Sequence, residues 1–130
     1  ILMNNKIAIC VLIYDPNNFN FLSVSLKDDH TDLNLPGGNV KKNEDIIDAG
    51  KREVKEETGL DIYNLKYLYE SVENNYNVIT YYTSDYSGKI YTIEDHVVKW
   101  IPLYQLTKSK KWPDYNNIIY NMILEIINNK

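Results

Sequence analysis

Cysteine and arginine are almost absent from this 130-residue chain, and both shortages limit what the protein can be. The single cysteine, Cys10, cannot form an internal disulfide, which excludes the class of small secreted proteins stapled by disulfide bonds. Cys10 lies in an apolar run and is expected to be a buried small hydrophobe. The chain also lacks a run of 18 apolar residues and a signal-peptide pattern, so we expect no membrane segment and a cytoplasmic location.

Positive charge is not in excess either. The net charge is −4 at pH 7, which argues against a general affinity for the nucleic-acid backbone. The composition is that of ordinary globular proteins, with 44% hydrophobic and 25% charged residues. There is no internal repeat and no linker-like stretch, so residues 1–130 are expected to form a single domain with its own core.

The hydrophobic pattern predicts a sheet and two helices. A continuous β-branched run at residues 6–14 predicts a buried central strand, and the alternation at 21–26 predicts its hairpin partner. The rest of the pattern predicts a polar loop at 27–33, strands at 61–72, 77–84 and 97–103, a turn at 85–89, and a C-terminal helix at 115–127.

The first predicted helix extends from Asn43 to Gly59 without a proline. Asparagine is a common N-terminal cap, and glycine is the usual left-handed residue that ends a helix. Ile47, Gly50 and Val54 form a stripe on one side of this helix, which is expected to pack on the sheet.

Three glutamates share another face of the same helix, because they lie at i, i+3 and i+4. They are Glu53, Glu56 and Glu57, here called the acidic ridge. Like charges at this spacing repel one another, and a bound cation would relieve that repulsion. Carboxylate oxygens are hard ligands that suit Mg²⁺ or Mn²⁺. A solvated acidic face is the alternative.

Arg52, which directly precedes the ridge, is the only arginine, and the other thirteen basic residues are lysines. Its planar guanidinium could hold Glu53 or bridge to Glu44 through paired hydrogen bonds, which a lysine cannot do. A chance surface arginine is the alternative. Upstream, a Pro-Gly-Gly sequence places Gly37 and Gly38 where positive φ and close backbone approach are both permitted. An ordinary turn would use the same residues.

Residues 38–60 resemble the Nudix box, whose pattern is G-x5-E-x7-R-E-U-x-E-E-x-G-U with U a bulky aliphatic residue. Gly38 is followed by five residues and Glu44, then by seven residues and the sequence REVKEETGL. All nine constrained positions are met over 23 residues. The motif is therefore specific, although it covers less than a fifth of the chain.

The resemblance implies a fold, a chemistry and a set of residues. The fold is the α/β/α Nudix fold, a mixed sheet sandwiched between helices. The chemistry is metal-dependent hydrolysis of a diphosphate linked to a nucleoside. Glu53, held by Arg52, would take a proton from water, and Glu44 would brace Arg52. The implied ligands of Mg²⁺ or Mn²⁺ are the Gly38 carbonyl oxygen, Glu53, Glu56 and Glu57.

A second acidic position could serve as the base or as a further ligand. Residues 94–106 resemble the family segment that ends in W-x-P-L-x-x-L, before which an acidic residue can have that role. Glu94 is the candidate and Asp95 the substitute, and ordinary loop acids are the alternative.

Substrate contacts are implied at both ends of the chain. Lys27 follows the second strand, where the family often places a basic residue facing phosphate. Gly37, whose backbone can approach a ligand closely, is a second candidate. The sequence WPDYN, ending at Asn116, resembles the F-P-x-A-N segment of MutT-like Nudix enzymes, in which the asparagine reads the nucleobase. The bulkier Tyr115 leaves the identity of the base open. The alternatives are a surface lysine and an asparagine that only begins a helix.

This segment and the short chain favour a nucleoside triphosphate as substrate, including oxidised purine nucleotides, cleaved to monophosphate and pyrophosphate. ADP-ribose, a dinucleoside polyphosphate and a capped RNA 5′ end are the enzymatic alternatives. A non-catalytic Nudix-fold nucleotide sensor is the alternative from another class, and the intact acidic ridge argues against it. The expected partner is a small nucleotide, and the protein is expected to be a monomer or a homodimer.

Overall fold

The computed structural model describes residues 6–91 and 95–129. Within these ranges the chain forms nine strands, one short 3₁₀ helix and two α-helices. In chain order they are β1 (Ile7–Asp15), β2 (Asn20–Ser25), β3 (Leu33–Asn34), β4 (Gly37–Asn39), α1 (Ile46–Thr58), β5 (Asp61–Tyr63), β6 (Lys66–Glu73), β7 (Tyr76–Thr83), β8 (Asp85–Ser87), β9 (Val98–Pro102), the 3₁₀ helix (Leu103–Lys108) and α2 (Pro113–Asn128).

β1 is the centre of a seven-stranded mixed sheet of order β3-β2-β1-β7-β6. It pairs in parallel with β7 and antiparallel with β2 and β4, and β9 pairs antiparallel with β2. β1 and β2 are in register only next to their hairpin, at Tyr14↔Phe21 and Asp15↔Asn20. Beyond that point the two strands take different partners, β4 on β1 and β3 on β2, which brings the β4 glycines next to β1.

The side chains of β1 alternate between two apolar layers, as the pleat of a strand requires. Those on one face pack with α1, and those on the other face pack with α2. The α1 layer contains Ile9, Val11, Ile13, Ala49 and Val54, and the α2 layer contains Leu12, Tyr14, Ile119 and Ile123. The predicted sheet between helices is therefore confirmed.

The ends of α1 follow capping chemistry, although one predicted cap is wrong. The side chain of Asp45, not Asn43, accepts hydrogen bonds from the backbone N–H groups of Ile47 and Asp48. Asn43 instead has a φ of 64° and belongs to the preceding turn. The predicted stop is confirmed, because Gly59 is left-handed at φ 86°.

The face of α1 that packs on the sheet is largely the predicted one. Val54 is fully buried, and a Cβ on Gly50 would lie 2.8 Å from the Cδ1 of Ile9. The glycine in mid-helix therefore lets α1 approach β1 closely. Ile47 is only half-buried, and Ala49 takes its place in the core.

Short strands replace several predicted loops. The predicted strand at 61–72 is divided at Asn64, whose φ is 56°. The turn predicted at 85–89 contains β8, which pairs with β5 from Asp61↔Ser87 to Tyr63↔Asp85. β4 forms where a glycine turn was expected. Strands of three residues are too short to show an alternating pattern, so the sequence could not reveal them.

The C-terminal helix begins two residues earlier than predicted, because Pro113 occupies its first turn, where the missing N–H has no cost. Its apolar stripe is narrower than expected, since Ile118 is 40% exposed. No helix among the described residues has both the length and the apolar character needed to cross a membrane.

Candidate active site

Two glycines bring β4 against the strand and the helix that flank it. A Cβ on Gly37 would lie 2.1 Å from the carbonyl oxygen of Ile9, and a Cβ on Gly38 would lie 2.4 Å from the Cδ of Glu53. Neither glycine uses the positive φ that its lack of a side chain permits. Close approach is the reason for both glycines, and it places the backbone of β4 directly against the acidic ridge.

Arg52 holds three of the four glutamates of the box in place. Its Nε and Nη2 donate to the two carboxylate oxygens of Glu44 at 2.8 and 3.0 Å, in the paired geometry expected of a guanidinium. Its Nη1 donates to Glu53 at 3.0 Å and to Glu56 at 3.3 Å. Its Nη2 also donates to the carbonyl oxygen of Asn39 at 3.1 Å. Arg52 therefore makes both contacts that the sequence left as alternatives.

These contacts shift the protonation of the cluster. Hydrogen bonds from Arg52 and from the backbone N–H of Lys41 lower the pKa of Glu44 to about 2. Glu44 in turn raises the pKa of Arg52. Burial raises the pKa of Glu53 above its ordinary value, and Arg52 opposes part of that rise. Glu53 is therefore more basic than Glu44.

The acidic ridge and the β4 glycines form a set of oxygen ligands. Glu57 accepts a hydrogen bond from the N–H of Gly37 at 3.1 Å, and the Glu53 carboxyl lies against the Cα of Gly38. Among the described residues, no three acidic, histidine or cysteine side chains are already placed to hold a metal ion. The ligand chemistry nevertheless fits a hard divalent cation, because two carboxylates converge beside the backbone of Gly38. Binding would require these carboxylates to turn from their present protein partners.

A cleft of about 370 Å³ begins at the β4 glycines and ends below the start of α2. Its size falls within the range of small-molecule sites. Asn116 lines it and is 1% exposed. The cleft is also lined by Cys10, Asn34, Gly37, Gly38, Tyr76, Trp112 and Tyr115.

Cys10 and Tyr115 form the apolar side of the cleft. Burial raises the pKa of the Cys10 thiol to about 11 and the pKa of Tyr115 well above its ordinary value. The Tyr115 hydroxyl is hydrogen bonded to the hydroxyl of Thr80. Both groups therefore stay protonated at neutral pH, so this side of the cleft carries no charge.

Besides the box residues that lie next to the β4 glycines, two described candidates, Lys27 and Asp95, do not line the cleft. Lys27 is exposed in the loop after β2 and is not among the described residues that line the cleft. Glu94 lies outside the described residues. Asp95 has a side chain that is 85% exposed and pairs with His30 at 3.8 Å. The roles assigned to Lys27, Glu94 and Asp95 stay predictions.

Sequence reasoning missed a buried polar group beneath the cleft. Asp32, Asn34 and Ser109 are all less than a tenth exposed, and they connect to Asn116 by hydrogen bonds. The only local sign of this group is that Asp32 and Asn34 alternate with two leucines just before the Pro-Gly-Gly sequence. Ser109, which donates to Asn34, is 75 residues away from it in sequence, so the contact depends on the fold.

Comparison with known proteins assigns the family. The model of the NUDIX domain matches residues 4–122. The chain belongs to the Nudix family. An 8-oxo-dGTP diphosphatase of Buchnera aphidicola subsp. Schizaphis graminum is 35% identical over 99 residues, covering 72% of each chain. Another, from Buchnera aphidicola subsp. Acyrthosiphon pisum, is 29% identical over 93 residues, covering 68% of this chain and 74% of its own.

Solved structures agree on the fold. A MutT structure from work on Aliivibrio salmonicida and Vibrio cholerae has a TM-score of 0.76 and 15% identity, and covers 96% of this chain and 98% of its own. The MutT Nudix hydrolase of Burkholderia pseudomallei has a TM-score of 0.71 and 19% identity, covering 91% and 97%. The predicted MutT-like Nudix hydrolase with the Nudix α/β/α fold is confirmed, and the chain is a Nudix pyrophosphohydrolase.

Proposed function

We propose that this Nudix enzyme hydrolyses 8-oxo-dGTP to 8-oxo-dGMP and pyrophosphate. The observation that carries the proposal is the position of Asn116, which lines the same cleft as Gly37 and Gly38. A base held near Asn116 would direct its phosphates toward the acidic ridge beside those glycines. Both Buchnera relatives bear the name of this activity, which supports the choice of base.

The cation that we propose is Mg²⁺, with Mn²⁺ as a substitute. Nudix hydrolases in general use divalent metals. The Gly38 carbonyl oxygen and the carboxylates of Glu53, Glu56 and Glu57 would hold the ion. Bound there, it would neutralise the charge of the diphosphate and acidify the attacking water.

Glu53 is the proposed proton acceptor. Arg52 positions it through a hydrogen bond from Nη1 at 3.0 Å, which would hold the carboxylate toward an attacking water. Glu44 keeps Arg52 in place through two hydrogen bonds and does not itself need to touch substrate. Glu94 and Asp95 are the other acids proposed for this step, and Lys27 is proposed to face the phosphates.

The test is a comparison of kcat/KM with Mg²⁺ for 8-oxo-dGTP, the four ordinary deoxynucleoside triphosphates and ADP-ribose. Asn116→Ala should lower the preference for 8-oxo-dGTP by about 1–3 kcal/mol for each lost hydrogen bond and leave the poorest substrates unchanged. Asn117→Ala is the matched control, because Asn117 is adjacent and exposed.

Two results would contradict the proposal. A parent enzyme that prefers ADP-ribose would assign the site to another substrate. An Asn116→Ala enzyme that is slower by the same factor on every nucleotide would make Asn116 a packing residue.

A further inference from the structure

A chain of buried hydrogen bonds lies beneath the cleft and ends at Asn116. Asp32 is 2% exposed, Asn34 is 7% exposed and Asn116 is 1% exposed. Asn34 Nδ2 donates to Asp32 Oδ1 at 3.1 Å, and Asn116 Nδ2 donates to Asn34 Oδ1 at 2.8 Å. The path connects the β3 region to the first turn of α2, two segments 82 residues apart in sequence.

Asp32 is the fixed end of this chain. Its carboxylate accepts the backbone N–H groups of Lys110 at 3.1 Å and Lys111 at 3.0 Å. It therefore ties the loop before β3 to the segment that leads into α2. A carboxylate in this position accepts hydrogen bonds and has none to donate.

The orientation of each amide then follows from its neighbour. Because Asp32 only accepts, Asn34 must turn its Nδ2 toward Asp32 and its Oδ1 toward Asn116. The Asn34 Oδ1 also only accepts, so Asn116 must turn its own Nδ2 toward Asn34. A side-chain amide that could otherwise adopt two orientations is limited to one.

This orientation determines what Asn116 offers to the cleft. Within the part of the chain that the structure describes, no protein donor reaches the Asn116 Oδ1. This oxygen is nevertheless not fully buried, because every fully buried side-chain oxygen in that part has a hydrogen-bond partner. Its remaining exposure is toward the cleft that Asn116 lines, where it presents an acceptor. A base edge that carries an N–H can pair with it, and an edge that carries a lone pair cannot.

We propose that Asp32 and Asn34 are positioning residues that fix the Asn116 amide with its acceptor toward the cleft, and that they set base selectivity through it. The consequence for selectivity rests on the proposed function. 8-Oxoguanine carries an N–H at position 7, where guanine has a lone pair, so the two bases differ in the group that an acceptor distinguishes. If the Asn116 amide could turn over, it could present either its acceptor or its donor, and the site would bind both bases.

The first experiment measures the amide itself. The side-chain N–H signals of Asn116 are assigned in ¹⁵N-labelled protein by their loss in Asn116→Ala. In Asn34→Leu the proton that donates to Asn34 should exchange with solvent about tenfold faster, because its hydrogen bond is gone. Asn34→Ala replaces the leucine variant if that one does not fold.

Ser109→Ala is the matched control. Ser109 Oγ donates to the same Asn34 Oδ1 at 2.8 Å and accepts the N–H of Trp112 at 2.9 Å. Its removal should lower the Tm while leaving both the Asn116 signals and the base preference unchanged. If the variants only loosened the segment before α2, Ser109→Ala would change the Tm, the Asn116 signals and the base preference together.

The second experiment is a double-mutant cycle on the ratio of kcat/KM for 8-oxo-dGTP to kcat/KM for dGTP. Asn34→Leu should lower this ratio about tenfold in the parent, and it should have no further effect in the Asn116→Ala background. Since Asn34 also lines the cleft, additive effects would mean that it contacts the base directly, which would overturn the positioning role.

The remaining outcomes are distinct. An Asn116 amide that stays protected in Asn34→Leu, with an unchanged ratio, would overturn the proposal. If the Asn116 proton exchanges faster in Asn34→Leu but the parent enzyme does not prefer 8-oxo-dGTP, the positioning role is supported. The proposed function is then what fails.

Discussion

At the scale of single residues, Arg52 shows why one arginine stands among thirteen lysines. Its guanidinium reaches Glu44, Glu53 and the carbonyl oxygen of Asn39 at the same time, at 2.8 to 3.1 Å. An ammonium group carries the same charge at one point and cannot keep these directions together. The geometry of Glu53 therefore depends on the shape of Arg52 as well as on its charge.

We expect Arg52→Lys to lower kcat about 10–100-fold, the usual cost of losing a residue that orients a catalytic group. KM should change less, since the interaction that is lost matters most in the transition state. Steady-state kinetics with Mg²⁺ measure both quantities. Lys51→Arg, an exposed change on the same helix, is the control. A kcat equal to that of the parent would show that Arg52 does not position Glu53.

The lowered pKa of Glu44 predicts that the free energy of unfolding falls at acidic pH. The carboxyl titrates at about 2 in the folded protein, against an ordinary value of 4.5. As the pH falls, the Glu44 carboxyl therefore takes up its proton in the unfolded chain before it does so in the folded protein. The stabilisation from Glu44 is complete above pH 4.5 and is lost as the pH falls toward 2. Glu44→Gln should be less stable than the parent near neutral pH, with a difference that shrinks across this range.

Chemical denaturation without metal between pH 2.5 and pH 7 would check this expectation. Glu125→Gln, an exposed change on α2, controls for the loss of one acidic group. A stability difference between Glu44→Gln and the parent that stays constant with pH would mean that Arg52 does not favour the ionised form of Glu44.

Individual residues were predictable to different degrees. Arg52, Glu44 and the ridge lie within one helix and its approach, so their spacing in sequence nearly fixes their spacing in the fold. Asn34 contacts Asn116 directly although the two are 82 residues apart in sequence, and no local pattern carries that information. Sequence reasoning therefore found the candidate chemistry and missed Asp32 and Asn34, the buried residues that connect to Asn116.

At the scale of elements, two glycines with positive φ allow the cost of backbone strain to be measured apart from the cost of steric overlap. Gly59 ends α1 at φ 86° and Gly88 follows β8 at φ 100°. A Cβ on Gly59 would lie 2.3 Å from the ring of Tyr91 and 2.8 Å from the carbonyl oxygen of Lys89, whereas a Cβ on Gly88 would meet nothing closer than 3.5 Å.

Gly88→Ala should therefore lower the free energy of unfolding by about 1–2 kcal/mol, the cost of a left-handed alanine. Gly59→Ala should lose the same amount plus about 1–3 kcal/mol for the overlap. Urea denaturation of the two variants side by side measures the difference. Equal losses would mean that Tyr91 and Lys89 move aside at little cost.

Long elements were predictable, and short ones were not. β1 and α2 carry enough apolar residues for their period to be read, and both were placed within two residues of their ends. β4, β5 and β8 have three residues each, and pairing with distant strands alone makes them strands. The strand order, with β7 parallel to β1, likewise depends on long-range contacts, and the family resemblance predicted only that the sheet is mixed.

At the scale of the whole molecule, a chain with a net charge of −4 keeps three glutamates on one helix face. A divalent cation bound there should stabilise the folded state by mass action, by about 2.7 kcal/mol at a hundred times its Kd. Thermal unfolding with increasing Mg²⁺ should show a rising Tm, and Glu56→Gln should weaken that rise. Without metal, Glu56→Gln should melt no lower than the parent, because Glu56 is 50% exposed.

Glu125→Gln is again the control, since α2 packs on the opposite face of the sheet from the ridge. A rise in Tm that persists unchanged in Glu56→Gln would place the cation elsewhere. Glu57→Gln is a less clean variant, because Glu57 also accepts the N–H of Gly37 and its loss would weaken β4.

The crowding at Gly37 and Gly38 has a genetic consequence. At Gly37 the obstacle to a side chain is the backbone carbonyl of Ile9, which no second-site substitution can remove. At Gly38 the obstacle is the carboxylate of Glu53, and a suppressor that shortened Glu53 would sacrifice the proposed proton acceptor. Selection for revertants of an alanine at either position should therefore recover glycine codons and no compensating alleles.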